Sequence, residues 1–310
     1  MLNKKVVKYF SSSEKSRVTF IGLGNMGLKM ANNLLKSGKH TVSGFDLNKE
    51  VQDNFNKQEN TLNESLSESV KKSKFIVTML PNTNIVNSTW NEIISYKPAK
   101  GTHIIDSSTI NPIESKIFSS NAEKEGYYPA DAPVSGGVTG ALNGTLTFMV
   151  GCQKDKFELK RDFLLSMGKN IIHCGDYGTG QTVKVCNNLV LGITNAGLSE
   201  ALVLGQKLGI DMQVLCKVMS VSSASCWALN SNCPVPNFLP NVSSSRNYEG
   251  GFSTELMSKD MNLALEIANK LNKPSKLGEV ASGYYKEIIE KGQNKKDFSI
   301  VYNHLLDKKI

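Results

Sequence analysis

Apolar positions along this chain change their period once, near residue 178. Before that point, short β-branched and aromatic runs at 17–21, 41–45, 75–80, 103–106, 145–150 and 170–174 alternate with segments of helical spacing. After it the strand signals largely stop. Residues 212–220, 254–271 and 277–291 read as helices, and 297–299 opens a last short one. The stretch 232–251, rich in Pro, Asn and Ser, reads as a loop. Between the two regimes lies a proline-free run from 178 to 208. It opens Gly178-Thr179-Gly180-Gln181 and repeats Val183, Leu189, Val190, Ile193, Leu198, Leu202 and Leu208 at roughly helical spacing. The pattern predicts one long helix joining an α/β domain, residues 18–179, to an all-helical domain, residues 180–310.

The first strand run leads directly into Gly22-Leu23-Gly24-Asn25-Met26-Gly27, then a helical segment over 28–37, then a second strand ending at Asp46. A lone GxGxxG is weak evidence. Here strand, glycines, helix, strand and acid arrive in the order a Rossmann-type dinucleotide fold requires. Gly22 permits the tight turn, Gly24 lets the backbone approach a pyrophosphate, and Gly27 lets helix and strand pack closely. The N–H groups of the helix N-terminus would face the phosphates. Asp46 can accept hydrogen bonds from a ribose 2′-OH and would repel a 2′-phosphate. Leu47-Asn48 supplies no arginine for one, so NAD is favoured over NADP, with Lys49 the residue that keeps NADP open.

Ligands in open α/β sheets sit beyond the carboxyl ends of strands. Leu80, Pro81 and Thr109 fall at that edge, where an apolar shelf and a hydroxyl could position a nicotinamide ribose. Ser135-Gly136-Gly137 could hold a carboxylate through a hydroxyl and freed backbone N–H groups, or could be a tight turn. On the long helix, Lys184 and Asn188 are four residues apart and share a face. A lysine and an amide projecting together at a domain junction could move a proton and hold a polar substrate. The same spacing is compatible with a solvated lysine and a helix-surface amide.

Composition narrows the classes. The chain has 310 residues, 40% hydrophobic and 21% charged, enough for two domains and a large core. No run approaches ~18 uninterrupted apolar residues, so no membrane span is expected. The six cysteines form no CxxC pair and do not cluster with the four histidines, which points to reduced thiols and no metal site. The net charge is +8, with +4 of it in residues 1–17, so the remainder gives little support to nucleic-acid binding. Those 17 residues are basic, serine-rich and nearly free of acid. They predict a mitochondrial presequence and a matrix location, with a cytoplasmic tail as the alternative.

Taken together, the motifs resemble the β-hydroxyacid dehydrogenases over residues 18 to about 306. The resemblance rests on Phe20-Ile21-Gly22-Leu23-Gly24-Asn25-Met26-Gly27, on Asp131-Ala132-Pro133-Val134-Ser135-Gly136-Gly137, on Gly178-Thr179-Gly180-Gln181 through Lys184 to Asn187-Asn188, and on Leu256-Met257-Ser258-Lys259-Asp260. Cys226-Trp227, Pro234-Val235-Pro236 and Asn247-Tyr248-Glu249-Gly250-Gly251-Phe252 resemble the 3-hydroxyisobutyrate branch in particular. Ser225 and Cys233 depart from the arginine and asparagine of the animal enzymes in that branch, which bears on acyl-group preference.

The resemblance implies NAD-dependent oxidation of 3-hydroxyisobutyrate to methylmalonate semialdehyde, a step of valine breakdown. It implies that Lys184 is the catalytic lysine, that Asn188 steadies it and the substrate, and that Ser135, Gly136 and Gly137 bind the substrate carboxylate. Lys259 would lie near the nicotinamide. A homodimer or homotetramer is also implied. The alternatives are a sister enzyme acting on tartronate, glyoxylate or succinic semialdehyde, and a non-catalytic nucleotide-binding module.

Overall fold

The computed structural model describes residues 15–307. One eight-stranded sheet organises the first half: β1 (Ser16–Ile21), β2 (His40–Phe45), β3 (Phe75–Thr78), β4 (His103–Asp106), β5 (Tyr128–Asp131), β6 (Val134–Ser135), β7 (Leu146–Gly151) and β8 (Gly168–Gly175). Their order is β2-β1-β3-β4-β5-β7-β6, with β8 paired to β7. The first five strands are parallel. β7 runs antiparallel to β5 and β6 and parallel to β8. Helices α1 (Gly27–Lys36), α2 (Lys49–Phe55), α3 (Leu66–Lys72), α4 (Thr83–Ser95), α5 (Pro112–Lys124), α6 (Gly137–Asn143) and α7 (Phe157–Leu164) lie between the strands in sequence.

The apolar runs of β1 and β3 follow from coverage on both sides of the sheet. Alternation sends Phe75 and Val77 into one buried cluster, with Val18 and Phe20, and Ile76 into the other, with Ile21 and Ile104. The strand order reverses at β1, which has β2 on one side and β3 on the other, so a crevice opens beyond their carboxyl ends.

The second half is α8 (Thr179–Lys207), α9 (Met212–Ser220), α10 (Trp227–Asn230), α11 (Thr254–Lys270), α12 (Lys276–Glu290) and α13 (Val301–Asp307). The 29-residue α8 packs on β7 and β8 at its start and on α11, α12 and α13 further along. By length and composition it could cross a bilayer. Its inward face, however, buries Gln181, Lys184, Asn188, Asn195 and Ser199 against protein, as a helix shared by two domains would. Asn195 donates to the Phe298 carbonyl and Tyr285 to the Gly192 carbonyl, so α8 is bonded into the helical half by polar as well as apolar contacts.

Two sequence boundaries are corrected. Ser16 and Arg17, assigned to the presequence, are part of β1. They pair with His40 and Thr41, and Arg17 donates to both carboxylate oxygens of Glu64 at 2.7 and 2.6 Å. A segment that can be removed must therefore end before residue 16; residues 1–14 of that expectation lie outside the described residues. The run after Ser135, read as a turn or carboxylate loop, continues into α6. Its glycines argue against a helix, but α6 rests on α1, and Asn33 of α1 donates to the Ala141 carbonyl at 2.6 Å. All six cysteines are free thiols.

Candidate active site

The crevice at the strand ends is a cleft of about 2020 Å³ between the sheet and the helical half. The glycine loop forms one wall. Gly22 has φ +98° and its Hα faces the Met79 carbonyl, where a Cβ would lie 2.2 Å from the oxygen. A Cβ on Gly27 would lie 1.9 Å from the Gly22 carbonyl oxygen. Gly24 is different: nothing lies within 4 Å of its Cβ position, so its backbone is open on the cleft side. The N-cap of α1, Met26, supplies no side-chain cap; the Leu28 and Lys29 N–H groups donate to the Gly24 and Met26 carbonyls, so what the helix start offers a ligand is the backbone of the loop up to Gly27 and the positive end of the helix dipole. An open glycine and an uncapped helix terminus on one cleft wall fit the diphosphate of a dinucleotide. Leu23, Asn25 and Met26 complete this loop.

Asp46 stands at the end of β2 and lines the cleft. It is already engaged: Oδ2 accepts the Leu23 N–H at 2.7 Å and Oδ1 the Asn48 N–H at 2.8 Å. Each oxygen keeps a lone pair for a further donor. Asp46 therefore braces the glycine loop as well as offering a hydroxyl acceptor, a second duty the sequence did not reveal. Leu47, next to it, is 98% exposed at the cleft edge.

Leu80, Pro81 and Thr109 line the cleft beyond β3 and β4. Lys259, on α11, reaches across to them: its Nζ donates to the Thr109 carbonyl at 3.1 Å and the Pro81 carbonyl at 3.3 Å. Opposite stand Ser135, Gly136 and Gly137, with the two glycines at φ +128° and +61°. Consecutive positive φ values are open to glycine, and they leave this stretch of backbone without side chains where it lines the cleft.

Lys184 and Asn188 face the same space from α8. The lysine is only 8% exposed, so it is not a solvated surface residue. Its amine makes no hydrogen bond among the described residues and lines the cleft. Burial holds its pKa below the ordinary lysine value. The nearby Lys259 charge lowers it further and Asp260 opposes the shift. Asn188 is oriented from two sides, donating to Asp260 Oδ2 at 2.6 Å and accepting from Asn187 at 3.1 Å. Asp260 also lies 3.3 Å from the Lys259 ammonium. One carboxylate thus sets an amide and balances two amines.

Asp260 was part of a quoted motif but received no role. Neighbours in a helix point about 100° apart, so the adjacent Lys259 and Asp260 need not share a site. Their convergence depends on how α11 meets α8. Gln181 and Asp131 likewise carry no role that their sequence context reveals.

Comparison with known proteins agrees with this architecture. A family profile described as the NAD binding domain of 6-phosphogluconate dehydrogenase matches residues 17–175. One described as NAD-binding of NADP-dependent 3-hydroxyisobutyrate dehydrogenase matches 178–305. The mitochondrial 3-hydroxyisobutyrate dehydrogenase of Drosophila melanogaster is 42% identical, covering 94% of this chain and 90% of that protein. The mouse enzyme of the same name is 43% identical over 95% and 88%. A solved structure of Mycobacterium tuberculosis 3-hydroxyisobutyrate dehydrogenase with L-serine superposes with a TM-score of 0.88. It is 36% identical and covers 94% of this chain and 99% of that one. The chain belongs to the 3-hydroxyisobutyrate dehydrogenase family.

Proposed function

We propose, with membership of that family as the premise, that this oxidoreductase converts 3-hydroxyisobutyrate to methylmalonate semialdehyde in valine breakdown, with NAD as acceptor and Lys184 as the proton-transferring group. The observation that carries the reading is Lys184: a largely buried side chain that lines the cleft with the glycine loop and Ser135, its amine free of hydrogen bonds among the described residues. A bound nicotinamide dinucleotide supplies the two-electron acceptor. Gly22, Gly24, Gly27 and the N-terminus of α1 would hold its phosphates, with Asp46 on its ribose and Lys259, Leu80, Pro81 and Thr109 at its other end.

The remaining work falls to this chain's side chains. Ser135 with the Gly136 and Gly137 N–H groups holds the substrate carboxylate. That anchoring presents the hydroxyl to Lys184, with Asn188 supporting it. An ordinary lysine, with a pKa of about 10.4, is mostly protonated near neutrality and a poor base. Burial of Lys184 favours the neutral amine, which can take the hydroxyl proton as the alcohol is oxidised. In the reverse direction the ammonium returns it. The measurement is NADH formation with 3-hydroxyisobutyrate, L-serine and tartronate, and NADH consumption with glyoxylate and succinic semialdehyde. A higher kcat/KM for any of the others would replace the assigned substrate.

Cofactor choice follows from Asp46. Asp46→Ser should weaken NADH binding, since it removes the ribose acceptor and the Leu23 brace. It should also remove the repulsion of a 2′-phosphate. The NAD/NADP ratio of kcat/KM should fall by about ten- to a hundredfold, the equivalent of roughly 1.4–2.8 kcal/mol. A wild-type enzyme that prefers NADP would remove this role from Asp46.

Ser135→Ala should raise KM by about tenfold and leave kcat within about threefold, because its hydroxyl serves the carboxylate in ground and transition states alike. A large loss of kcat at unchanged KM would instead put Ser135 in the chemistry.

We place the protein in the mitochondrial matrix, after removal of a basic N-terminal segment. The first β1 pair, Ser16 with His40, sets the limit for removal. N-terminal sequencing of matrix protein should find a start at or before residue 16; an intact Met1 or a cytosolic location would refute this. Exposed Leu204 on α8, Leu208 at its C-cap, and Val214 and Val218 on α9 support a homodimer or homotetramer. Sedimentation velocity decides it, and a monomer at micromolar concentration would rule it out.

A further inference from the structure

The N-terminus of α8 is capped from far away. Its N-cap, Gly178, has φ +83° and no side chain to offer. Asp131, at the end of β5, supplies the missing acceptors: Oδ1 takes the Gly178 N–H at 2.7 Å and Oδ2 the Gln181 N–H at 2.8 Å. Asp131 is fully buried, and the space for it comes from glycines on both sides. A Cβ on Gly151 would lie 2.4 Å from Oδ1, and one on Gly180 2.8 Å from Oδ2. The first turn of α8 is thereby fixed to the sheet.

Gln181, held at its backbone by Asp131, makes two further bonds with its side chain. Oε1 accepts the Ile110 N–H at 3.1 Å, and Nε2 donates to the Ser108 carbonyl at 2.7 Å. Those two residues flank Thr109, a cleft residue whose own carbonyl accepts from Lys259. Gln181 is fully buried, and its amide bonds on both sides of Thr109. Lys184 lies three residues further along α8, close to the same helix face.

We propose that Gln181 is a positioning residue for the reaction: its amide sets the Thr109 segment against Lys184, so that the cofactor wall of the cleft and the proton-carrying amine are aligned by one side chain. Gln181 touches neither the substrate nor the reacting atoms. It acts through a carbonyl and an N–H of the β4–α5 connection and through the helix that bears Lys184. The proposal rests on Lys184 being the proton-transferring group.

The test compares Gln181→Met with Gln181→Ala, alongside Lys184→Ala. Methionine keeps the volume and loses the amide; alanine loses both. If alignment depends on the amide, both Gln181 variants should lose about 10- to 100-fold in kcat, the size expected for a displacement of about 1 Å. KM for the hydroxy acid and Kd for NADH should stay within about threefold. If Gln181 only fills space, the methionine variant keeps wild-type kcat while the alanine variant does not, and the proposal falls. It also falls if both keep kcat, if both lose NADH affinity in step with activity, or if the methionine variant does not fold. Active Lys184→Ala would refute the underlying reading instead. Inactive Lys184→Ala beside fully active Gln181 variants would refute only the positioning role.

Discussion

Lys184→Ala should lower kcat by roughly 10²- to 10⁴-fold, the usual contribution of a positioned acid–base group. NADH affinity and thermal stability should stay near wild type, because the glycine loop and Asp46 belong to the β1–α1–β2 unit and Lys184 to α8. Lys184→Arg should fail almost as badly, since a guanidinium does not give up its proton in this range. The wild-type pH profile should carry the same signature. With the lysine pKa lowered by burial, the oxidation rate should rise with pH as the ammonium becomes amine. The reduction rate should fall through the same range. Asp260 is the charge that opposes the shift, so Asp260→Asn should move the rising limb of oxidation to lower pH. Steady-state turnover, with NADH fluorescence titration on the same preparations, checks all of these. If Lys184→Ala keeps more than about a tenth of its turnover, the proton step belongs to another group. Lys259 is the next amine to test, although its Nζ is already spent on two carbonyls and Asp260.

What could be read in the sequence was what depends on local order. The glycine loop announced itself because turn, phosphate approach and helix packing each need a glycine at a fixed offset from β1. The Lys184–Asn188 pair was visible because a spacing of four defines one helix face in any context. Whether that face met water or a cleft was not visible. It is settled by α11, about seventy residues later, which brings Asp260 to Asn188 and Lys259 to the Thr109 carbonyl.

The distant cap on α8 was hidden for the same reason: Asp131 and Gln181 are 50 residues apart and meet only through the sheet. α6 was missed because its composition, Gly-Val-Thr-Gly-Ala-Leu-Asn, disfavours helix, and packing on α1 overrides that preference. The strand content of Ser16 was masked by the basic, serine-rich run before it, and Arg17 counts both as a presequence charge and as the start of the strand run. Arg17 reads as one more presequence charge until Glu64 is seen to pair with it.

The glycine loop offers the sharpest separation of folding from binding, because two of its glycines are required for different reasons. A methyl group on Gly27 would meet the Gly22 carbonyl oxygen at 1.9 Å and the Phe20 ring at 3.1 Å, both in the interior. Gly27→Ala should therefore force α1 away from β1. We expect a loss of roughly 3 kcal/mol or more in stability, in the range of severe core overpacking. For a domain of this size, that is a fall in Tm of several degrees or more, before any ligand is added. A methyl on Gly24 would meet nothing within 4 Å, so Gly24→Ala should fold normally, with a Tm close to wild type. It projects into the open wall assigned to the diphosphate, so NADH affinity should drop by about ten- to a hundredfold, a loss of roughly 1.4–2.8 kcal/mol. Thermal melts without cofactor, set beside NADH titrations, distinguish the two effects. A Gly24→Ala protein that binds NADH like wild type would show that the diphosphate does not approach this backbone. The cofactor would then have to be placed elsewhere along the cleft.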